Sequence, residues 1–239
     1  MANLFQDFQP NVIILGGGDY PSHPLPLSLL KKAEKVVCCD SAAYEFMRHG
    51  GKPWKIVGDC DSILFPRNAE EQKLLDENRH LIRQITEQAD NDLTKAVRYC
   101  LEHGLQKIAI VGATGRREDH TLGNISLLNE YMHMGADVRM LTDYGLFVAC
   151  HDSQTFEIPI PKDFVFQQDD IATRQKSTQV SVFNINAHDF SSEGLRYPLY
   201  DITRWWEGTL NEAISPTVRI DASGDYLVYI CYPDELSVE

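Results

Sequence analysis

A regular alternation of short apolar runs with helical patterns along residues 1–143 most constrains the fold of this chain. Six runs rich in Val, Ile and Leu predict buried strands, because each is short and is followed by glycine or a polar residue. These runs comprise residues 12–15, 36–39, 56–57, 81–85, 108–111 and 138–141.

Helical patterns are clearest in two of the intervals. One places apolar side chains at i, i+3, i+4, i+7 and i+8 from Leu93 and stops at Gly104. Another covers residues 119–134 and stops at Gly135. Its apolar stripe consists of Leu122, Ile125, Leu128 and Met132. Strands that alternate with helices predict an α/β domain, a mostly parallel sheet flanked by helices in the Rossmann-like manner.

The pattern changes after residue 143. Alternating apolar residues at Val180 and Val182, and again from Val218, predict strands with one buried face. Residues 222–225 supply a turn, after which a strand returns along residues 227–232. We therefore expect two domains, an α/β domain over residues 1–143 and a smaller antiparallel β domain over residues 144–239.

The composition narrows the possible partners and the compartment. The 239 residues include 35 Asp and Glu against 22 Lys and Arg, a formal net charge of −13, which argues against binding nucleic acid or an anionic membrane. No apolar stretch approaches the roughly 20 residues of a membrane span, and no signal peptide is visible. The six scattered cysteines have no metal-binding spacing and fit small buried side chains. We expect a cytoplasmic protein.

An acidic cluster, G-D-C-D-S at residues 58–62, follows the third predicted strand. In a loop, the carboxylates of Asp59 and Asp61 can turn towards one ion. Mg²⁺ commonly takes one or two protein carboxylates and completes its shell with water and substrate phosphates. The alternative is a local turn in which Asp61 and Ser62 bond to nearby backbone.

A second cluster, D-N-D-L-T-K at residues 90–95, opens the helix that contains Leu93. Asp90 and Asp92 suit a helix N-terminus, where acidic residues cap free N–H groups and interact favourably with the helix dipole. Lys95 lies one turn after Asp92, so both side chains can point into the same crevice. Capping, a surface ion pair and ligand binding all remain open for this cluster.

The third cluster, G-A-T-G-R-R-E-D-H-T-L-G-N at residues 112–124, follows the fifth strand. Gly112 and Gly115 let the backbone approach an anion at the N-terminus of the next helix. Arg116 and Arg117 offer forked donors to phosphate oxygens.

Three polar residues follow in the same cluster. Asp119 either caps the helix or reaches a metal ion. His120 and Asn124 are spaced i, i+4 on one face, away from the apolar stripe, and we interpret them as ligand contacts.

Two weaker signals follow the first and second strands. The Gly triplet at residues 16–18 lacks dinucleotide-binding spacing, and Pro21 and Pro24 prevent an immediate helix, but the glycines leave space for an adenine or ribose. Asp40 and Ser41 are either a helix N-cap or ligand contacts.

The carboxyl ends of parallel strands meet at one edge of the sheet, where open α/β sheets bind their ligands. Four carboxylates, one lysine and two arginines reach that edge in this chain. Closely set carboxylates repel each other and raise each other's pKa unless a cation compensates. The sequence therefore predicts metal-assisted binding of a polyphosphate.

In their order and spacing, the three clusters resemble those of the thiamin pyrophosphokinase family. The resemblance covers nearly the whole chain, and includes C-D-S-A-A at residues 39–43 and G-L-R-Y-P-L at residues 194–199. It implies a homodimer with an α/β catalytic domain and a C-terminal β-sandwich domain. It also implies transfer of pyrophosphate from ATP to the hydroxyl of thiamin, with magnesium, to give thiamin diphosphate and AMP.

The resemblance also implies roles for individual residues. Asp59, Asp61 and Asp92 correspond to the carboxylates that bind Mg²⁺ and the triphosphate. Lys95, Arg117 and Asp119 match catalytic and phosphate-binding positions. Further predicted contacts to ATP and its phosphates are Gly17, Asp40, Ser41, Gly112, Thr114, Gly115, His120 and Asn124.

Thiamin in the family lies between the catalytic domain of one subunit and the β domain of its partner. The family's Ser-Asn pair facing thiamin is replaced here by A-I-S, so Ser215 is the predicted contact. Two further departures are Cys60, where the family has an aromatic residue, and Arg116, where glycine is usual.

Two other functions remain open from the residues alone. One is a metal-dependent phosphatase, with Asp59 as nucleophile and Asp61 as its acid partner. The other is a sensor that binds nucleotide or thiamin without catalysis.

Overall fold

The alternating pattern of the first part of the chain folds into an α/β unit, Pro10–Asp143. The computed structural model describes residues 8–158 and 177–232. The strands of this unit are β1 (Val12–Leu15), β2 (Val36–Cys39), β3 (Lys55–Gly58), β4 (Ile82–Gln84), β5 (Lys107–Val111) and β6 (Asp137–Leu141). They are all parallel and lie in the order β6-β5-β1-β2-β3-β4, which confirms the predicted α/β class.

Helices connect these strands. They are α1 (Pro24–Lys32), α2 (Ala42–Arg48), α3 (Ala69–Asn78), α4 (Asp92–Glu102) and α5 (Glu118–His133), with a short 3₁₀ helix at Arg79–Leu81. Helix α1 begins at Pro24, as the missing N–H of proline allows at the first helical position. Helix α4 buries the predicted apolar face, and Gly104 follows its end with φ +73°.

The predicted stripe of α5 is wrong at its first residue. Leu122 is 54% exposed, whereas Leu128, Asn129 and Tyr131 are the buried side chains of this helix. The buried Tyr131 hydroxyl lies 2.9 Å from Oγ1 of Thr94, so α5 packs against α4 partly through a polar contact. Leucine spacing alone could not reveal that contact.

The second unit begins at Tyr144 and includes Phe8 and Gln9. Its strands are β7 (Gly145–His151), β8 (Gln154–Glu157), β9 (Gln179–Asn184), β10 (His188–Glu193), β11 (Asn211–Glu212), β12 (Thr217–Ser223) and β13 (Asp225–Cys231). They form two antiparallel sheets, β11-β9-β13-β7 and β10-β12-β8. Among its described residues the unit has one 3₁₀ helix, Trp205–Gly208, and no α-helix.

A single apolar core joins these two sheets into the predicted β-sandwich. Val218 and Ile220 from β12 and Val228 and Ile230 from β13 all contribute to it. The strand after the turn at residues 222–225 does not pair with β12, as a simple return would require, but lies in the other sheet. Gly224, with φ +109°, permits the abrupt change of direction between them.

Two features bear on the composition arguments. Of the six cysteines, all present as free thiols, five are buried and Cys231 is partly exposed. Within the described ranges, no helix is both long and apolar enough to cross a lipid bilayer.

Candidate active site

The loop after β3 brings three carboxylates together. Oxygen atoms of Asp40, Asp59 and Asp61 lie within 4.8 Å of one another. Cys60, between the last two, has φ +64°, a left-handed conformation that turns the chain sharply. The Asp61 N–H donates to Oδ1 of Asp59 (3.2 Å) and the Ser62 hydroxyl donates to Asp61 (3.0 Å), so local turn bonds coexist with the cluster.

Asp40 holds this loop in place and does not cap a helix with its side chain. Its carboxylate accepts the N–H groups of Ser62 (3.2 Å) and Ile63 (2.9 Å). The Tyr44 hydroxyl donates to the carbonyl of Ile63 (2.7 Å) from α2. Burial raises the pKa of Asp40, although these hydrogen bonds oppose the shift. Ser41 stands at the N-cap position of α2 but makes no capping bond with its side chain.

Further along, Arg67 and Glu71 fix the end of the same loop. Glu71 is buried and accepts the backbone N–H of Arg67 (2.8 Å) and its guanidinium (2.9 Å). Arg48 of α2 donates to the same carboxylate at 2.6 Å. Hydrogen bonds from the Arg67 side chain and backbone lower the pKa of Glu71 to about 2. The acidic loop is therefore anchored at both ends.

Asp92, at the first position of α4, borders this cluster but is not one of its three grouped carboxylates. Its Oδ1 accepts the N–H of Asp59 (3.1 Å) and lies 3.5 Å from Nζ of Lys95, which is only 3% exposed. A Cβ on Gly58 would come within 2.9 Å of the Asp92 carboxylate, so this glycine makes room for it. Burial raises the pKa of Asp92, and the nearby charges of Asp59 and Asp40 add to the shift.

Neither aspartate of the second cluster caps α4. Asn91 does so by accepting the N–H of Thr94 (2.8 Å), while Asp90 forms an ion pair with Arg98. Capping by Asp90 and Asp92 was therefore the wrong alternative. Asp92 contacts the N–H of Asp59 and the ammonium of Lys95 instead, so an ion pair and ligand binding both remain open for it.

Two glutamines near the cluster carry no signal in the sequence pattern. The side-chain amide of Gln84 donates to the backbone carbonyl of Asp59 (2.8 Å). The side-chain amide of Gln88 donates to the carboxylate of Asp59 (3.4 Å). Gln84 is the last residue of the edge strand β4, which pairs with β3 through Gly58. Only the register between these strands shows that its side chain is near Asp59.

The loop after β5 is rich in left-handed residues. Gly112, Gly115 and Arg116 have φ values of +62°, +79° and +58°. Gly18 donates its N–H to the carbonyl of Gly112 (2.7 Å), and the N–H of Asp19 donates to that of Thr114 (2.9 Å). The loops that follow β1 and β5 are thus joined through their backbones.

The Gly triplet has a packing role at two of its positions. A Cβ on Gly16 would lie 2.8 Å from the carbonyl oxygen of Gly112, and one on Gly18 would lie 2.2 Å from that of Thr114. A Cβ on Gly17 would meet nothing within 4 Å. Gly17 is therefore the position at which the triplet leaves open space.

Arg117 and Asp119 bond to each other. Nε and Nη2 of Arg117 lie 3.1 and 2.5 Å from the two carboxylate oxygens of Asp119, and both side chains are more than 60% exposed. Hydrogen bonding from Arg117 lowers the pKa of Asp119. Asp119 does not cap α5, whose N-cap is Arg117, although it accepts the N–H of His120 (2.9 Å).

Asn124 links the second and third clusters. Its amide donates to the carbonyl of Ala113 (2.8 Å), and its oxygen accepts the amide of Asn91 (3.2 Å). His120 is exposed one turn before it on α5. Ser215 lies in the second unit, between β11 and β12, where its hydroxyl accepts the N–H of Thr217 at 3.3 Å.

The donor atoms suit Mg²⁺. Asp40, Asp59, Asp61 and Asp92 supply only oxygen, the ligand that this ion prefers. Two of these carboxylates have raised pKa values from burial and mutual repulsion, so a cation would stabilise their ionised forms. The residues present fit the ion.

A parallel sheet that carries carboxylates, a buried lysine and glycine-rich loops beyond its strands is typical of α/β enzymes that act on phosphorylated ligands. Residues 27–140 match the family model described as the catalytic domain of thiamin pyrophosphokinase, and residues 145–229 match its substrate-binding domain. The chain belongs to the thiamin pyrophosphokinase family.

Individual relatives agree with this assignment. Thiamine pyrophosphokinase of Bacillus subtilis is 26% identical over 164 residues, 67% of this chain and 68% of that protein. Thiamin pyrophosphokinase 1 of Caenorhabditis elegans is 28% identical over 131 residues, and the match covers 51% of each protein. A crystal structure of the Bacillus subtilis protein has the same fold, with a TM-score of 0.72 at 21% identity, over 93% of this chain and 99% of that one.

Proposed function

We propose that this protein transfers the terminal diphosphate of ATP to the hydroxyl of thiamin, giving thiamin diphosphate and AMP. The observation that carries the proposal is the contact of Asp59 with Asp92 beside Asp61 and the buried Lys95. Family membership supplies the substrate class, and these residues supply chemistry that suits it. Simple nucleotide binding does not need three clustered carboxylates beside a buried lysine.

Asp59, Asp61 and Asp92 would hold Mg²⁺, with Asp40 beside them. The ion would neutralise charge on the triphosphate and orient it when bound. Lys95, held by Asp92 in a buried position, provides a fixed positive charge for the group being transferred. The thiamin hydroxyl oxygen bonds to the β-phosphorus as the bond from that phosphorus to the oxygen of AMP breaks, and the hydroxyl proton is released to solvent. The enzyme contributes mainly alignment and electrostatic stabilisation.

Arg117 and Asp119 have complementary roles in this proposal. The planar guanidinium of Arg117 is suited to bind phosphate oxygens. In this proposal, phosphate takes the place of the Asp119 carboxylate that Arg117 contacts in the structure. Asp119 would then be available to the metal ion or to the hydroxyl of thiamin.

The loops after β1, β2 and β5 would bind the rest of ATP. Gly17 offers open space beside the Gly112–Thr114 backbone, where an adenine or ribose could approach closely. The remaining predicted contacts are Asp40, Ser41, Gly115, His120 and Asn124. Asn124 already bridges two of the loops through Asn91 and Ala113, which supports a role in shaping the site.

The remaining parts of the proposal concern the β-sandwich and the assembly. We infer a catalytic domain over residues 1–143 and a thiamin-binding, dimer-forming domain over residues 144–239, with Ser215 as a thiamin contact. Exposed Trp206 (67%) and Tyr200 (57%) in the second unit are aromatic side chains of the kind found at subunit interfaces. Six free thiols suit a reducing compartment such as the cytoplasm.

Product analysis tests the proposal. Wild-type protein and Asp61→Asn are each mixed with thiamin, ATP and Mg²⁺, and nucleotides and thiamin phosphates are separated. AMP and thiamin diphosphate in equal amounts from the wild type alone are expected. ADP with thiamin monophosphate would mean that a different bond is attacked.

Three other results would contradict the proposed reaction or its site. Binding of both substrates without any product would indicate a sensor. Phosphate release through a covalent aspartyl-phosphate would indicate a phosphatase. Equal product from Asp61→Asn would show that the activity does not come from this site.

A further inference from the structure

Arg116 occupies an unfavourable backbone conformation for an arginine. Its φ of +58° lies in the left-handed region, which glycine adopts without steric cost and which residues with a Cβ rarely adopt. Glycine is also the residue that the resemblance leads one to expect here. We therefore expect the Arg116 side chain to make a contact that offsets the cost of this backbone conformation.

That side chain bridges to the loop after β1. Nη1 of Arg116 donates to the carbonyl of Gly17 (3.0 Å), and Nε lies 3.5 Å from Oδ1 of Asp19. A Cβ on Gly115 would lie 2.1 Å from the other carboxylate oxygen of Asp19, so Asp19 packs directly over the glycine before Arg116. Arg116 and Asp19 form a clamp across the loops, in which the hydrogen bond to the Gly17 carbonyl contributes more than the exposed ion pair.

Backbone hydrogen bonds already join the loops after β1 and β5. Gly16 donates to the carbonyl of Val111 (2.9 Å), Gly18 to that of Gly112 and Asp19 to that of Thr114. The N–H groups of Gly16 and Gly18 are thus engaged, and Gly17 is the member of the triplet with open space at its Cα. Arg116 fixes the carbonyl of this remaining peptide.

From these contacts we propose that Arg116 is a positioning residue for the nucleotide donor. It orders the Gly17 peptide so that the surface between the two loops is preformed before ATP binds. The inference rests on the proposed function, since it takes these loops to be the ATP site. Arg116 acts through Gly17 and Asp19, and contact with the phosphates is not part of its role.

Steady-state kinetics of Arg116→Gly test this role. The variant should raise KM for MgATP about 3- to 10-fold, the range for an ordinary intramolecular hydrogen bond, since the contact is exposed, with kcat and KM for thiamin nearly unchanged. Its melting temperature should equal or exceed that of the wild type, because glycine relieves the φ of +58°. Lys73→Ala, which removes an exposed charge from α3, controls for the loss of one cation and should leave KM unchanged.

Asp19→Asn separates positioning from direct binding. If the clamp orders the loop, this variant also raises KM for MgATP, and combining it with Arg116→Gly adds little further. If Arg116 instead binds phosphate and Asp19 competes for it, Asp19→Asn lowers KM for MgATP, which would overturn the proposal. Arg116→Lys, which keeps the charge but loses the fork, should fall between wild type and Arg116→Gly.

The outcomes also distinguish this inference from the proposed function. Wild-type turnover to AMP and thiamin diphosphate establishes the function whatever Arg116 does. Unchanged KM for MgATP in Arg116→Gly, or a fall in kcat alone, overturns the positioning role and leaves the function intact. If the wild type binds MgATP without turnover, the same variants are compared by calorimetric titration of MgATP. Failure of the wild type to bind MgATP overturns both.

Discussion

The acidic loop after β3 and the basic loop after β5 are held in opposite ways. The acidic loop is anchored by buried groups, Asp40 at its start and Glu71 at its end. The basic loop ends in the exposed pair of Arg117 and Asp119, which bond to each other. Buried carboxylates are costly to move, whereas exposed ion pairs are worth little and exchange partners readily.

The difference indicates that the two loops have different roles in ligand binding. In the proposed function, the acidic loop would be arranged before any ligand arrives, so a cation would find its oxygens already placed. The basic loop would keep Arg117 on a temporary partner and would rearrange when phosphate displaces Asp119. Substitutions in the two loops should therefore differ in size and kind.

The largest effect is expected for Asp92→Asn. Loss of this carboxylate should lower kcat by about three orders of magnitude, since charge stabilisation by a metal ion is worth several kcal/mol and about 1.4 kcal/mol is tenfold in rate. Circular dichroism should show an unchanged fold. Asp76→Asn, on the exposed face of α3, is the control and should retain wild-type turnover. Turnover of Asp92→Asn near that of the wild type would contradict a preformed metal site.

A smaller kinetic effect is expected for Arg117→Ala. It should lower kcat/KM for MgATP about 10- to 100-fold, the equivalent of about 1.5–3 kcal/mol for hydrogen bonds to a charged group. The chain contains a matched control, because Arg219 bonds to Asp221 with the same spacing in the second unit. Arg219→Ala should leave kcat/KM unchanged. Equal losses in the two variants would mean that Arg117 only adds general positive charge.

Glu71→Gln tests the anchoring of the acidic loop. The change leaves Arg48 and Arg67 without their shared carboxylate and should lower the free energy of unfolding by about 2–3 kcal/mol. Glu70→Gln is the control. Glu70 is 64% exposed and lies 3.6 Å from Arg48, and losing it should cost less than about 0.5 kcal/mol. Chemical denaturation measures both, and equal costs would contradict a buried anchor.

The same carboxylate predicts a modest dependence of stability on pH. The folded-state pKa of Glu71 is about 2, below its ordinary value of 4.5, so its stabilisation is complete above pH 4.5. It is lost as the pH falls through the folded-state value. The difference in unfolding free energy between wild type and Glu71→Gln should therefore shrink between pH 4.5 and 2. A constant difference over that window would show that Glu71 acts without its charge.

Much of the fold could be predicted because strands and helices leave periodic traces in the sequence. The six parallel strands lie where the apolar runs predict them, and α4 follows its apolar stripe from Leu93. The expectation that all six are buried is wrong for β4, the edge strand, whose residues are partly or fully exposed. Leu122 shows the limit of this reasoning, since a stripe indicates a face but not what covers its end. The sequence also does not predict that β12 and β13 lie in different sheets, because a turn sequence does not reveal which strands pair with each other.

For the site, the sequence predicted which residues lie at the ends of strands but not their partners. Asp40 looked like a helix cap, yet its carboxylate binds backbone N–H groups of a loop more than 20 residues away in sequence. Gln84, Glu71 and the bridge from Arg116 to Gly17 depend on strand register and loop path, which leave no local pattern. The roles of the site residues themselves remain predictions for the experiments above.

Because the six cysteine thiols differ in burial, their rates of chemical labelling can be used to measure local opening of the structure. Cys231 is the thiol within reach of solvent, so a brief exposure to a maleimide should label that position first. Each remaining thiol becomes reactive only when the structure around it opens. Of these, Cys150 belongs to the β-sandwich, whereas the α/β unit contains Cys38, Cys39, Cys60 and Cys100. Labelling followed by peptide mass mapping would show whether the buried thiols of the two units become reactive at the same rate or at different rates.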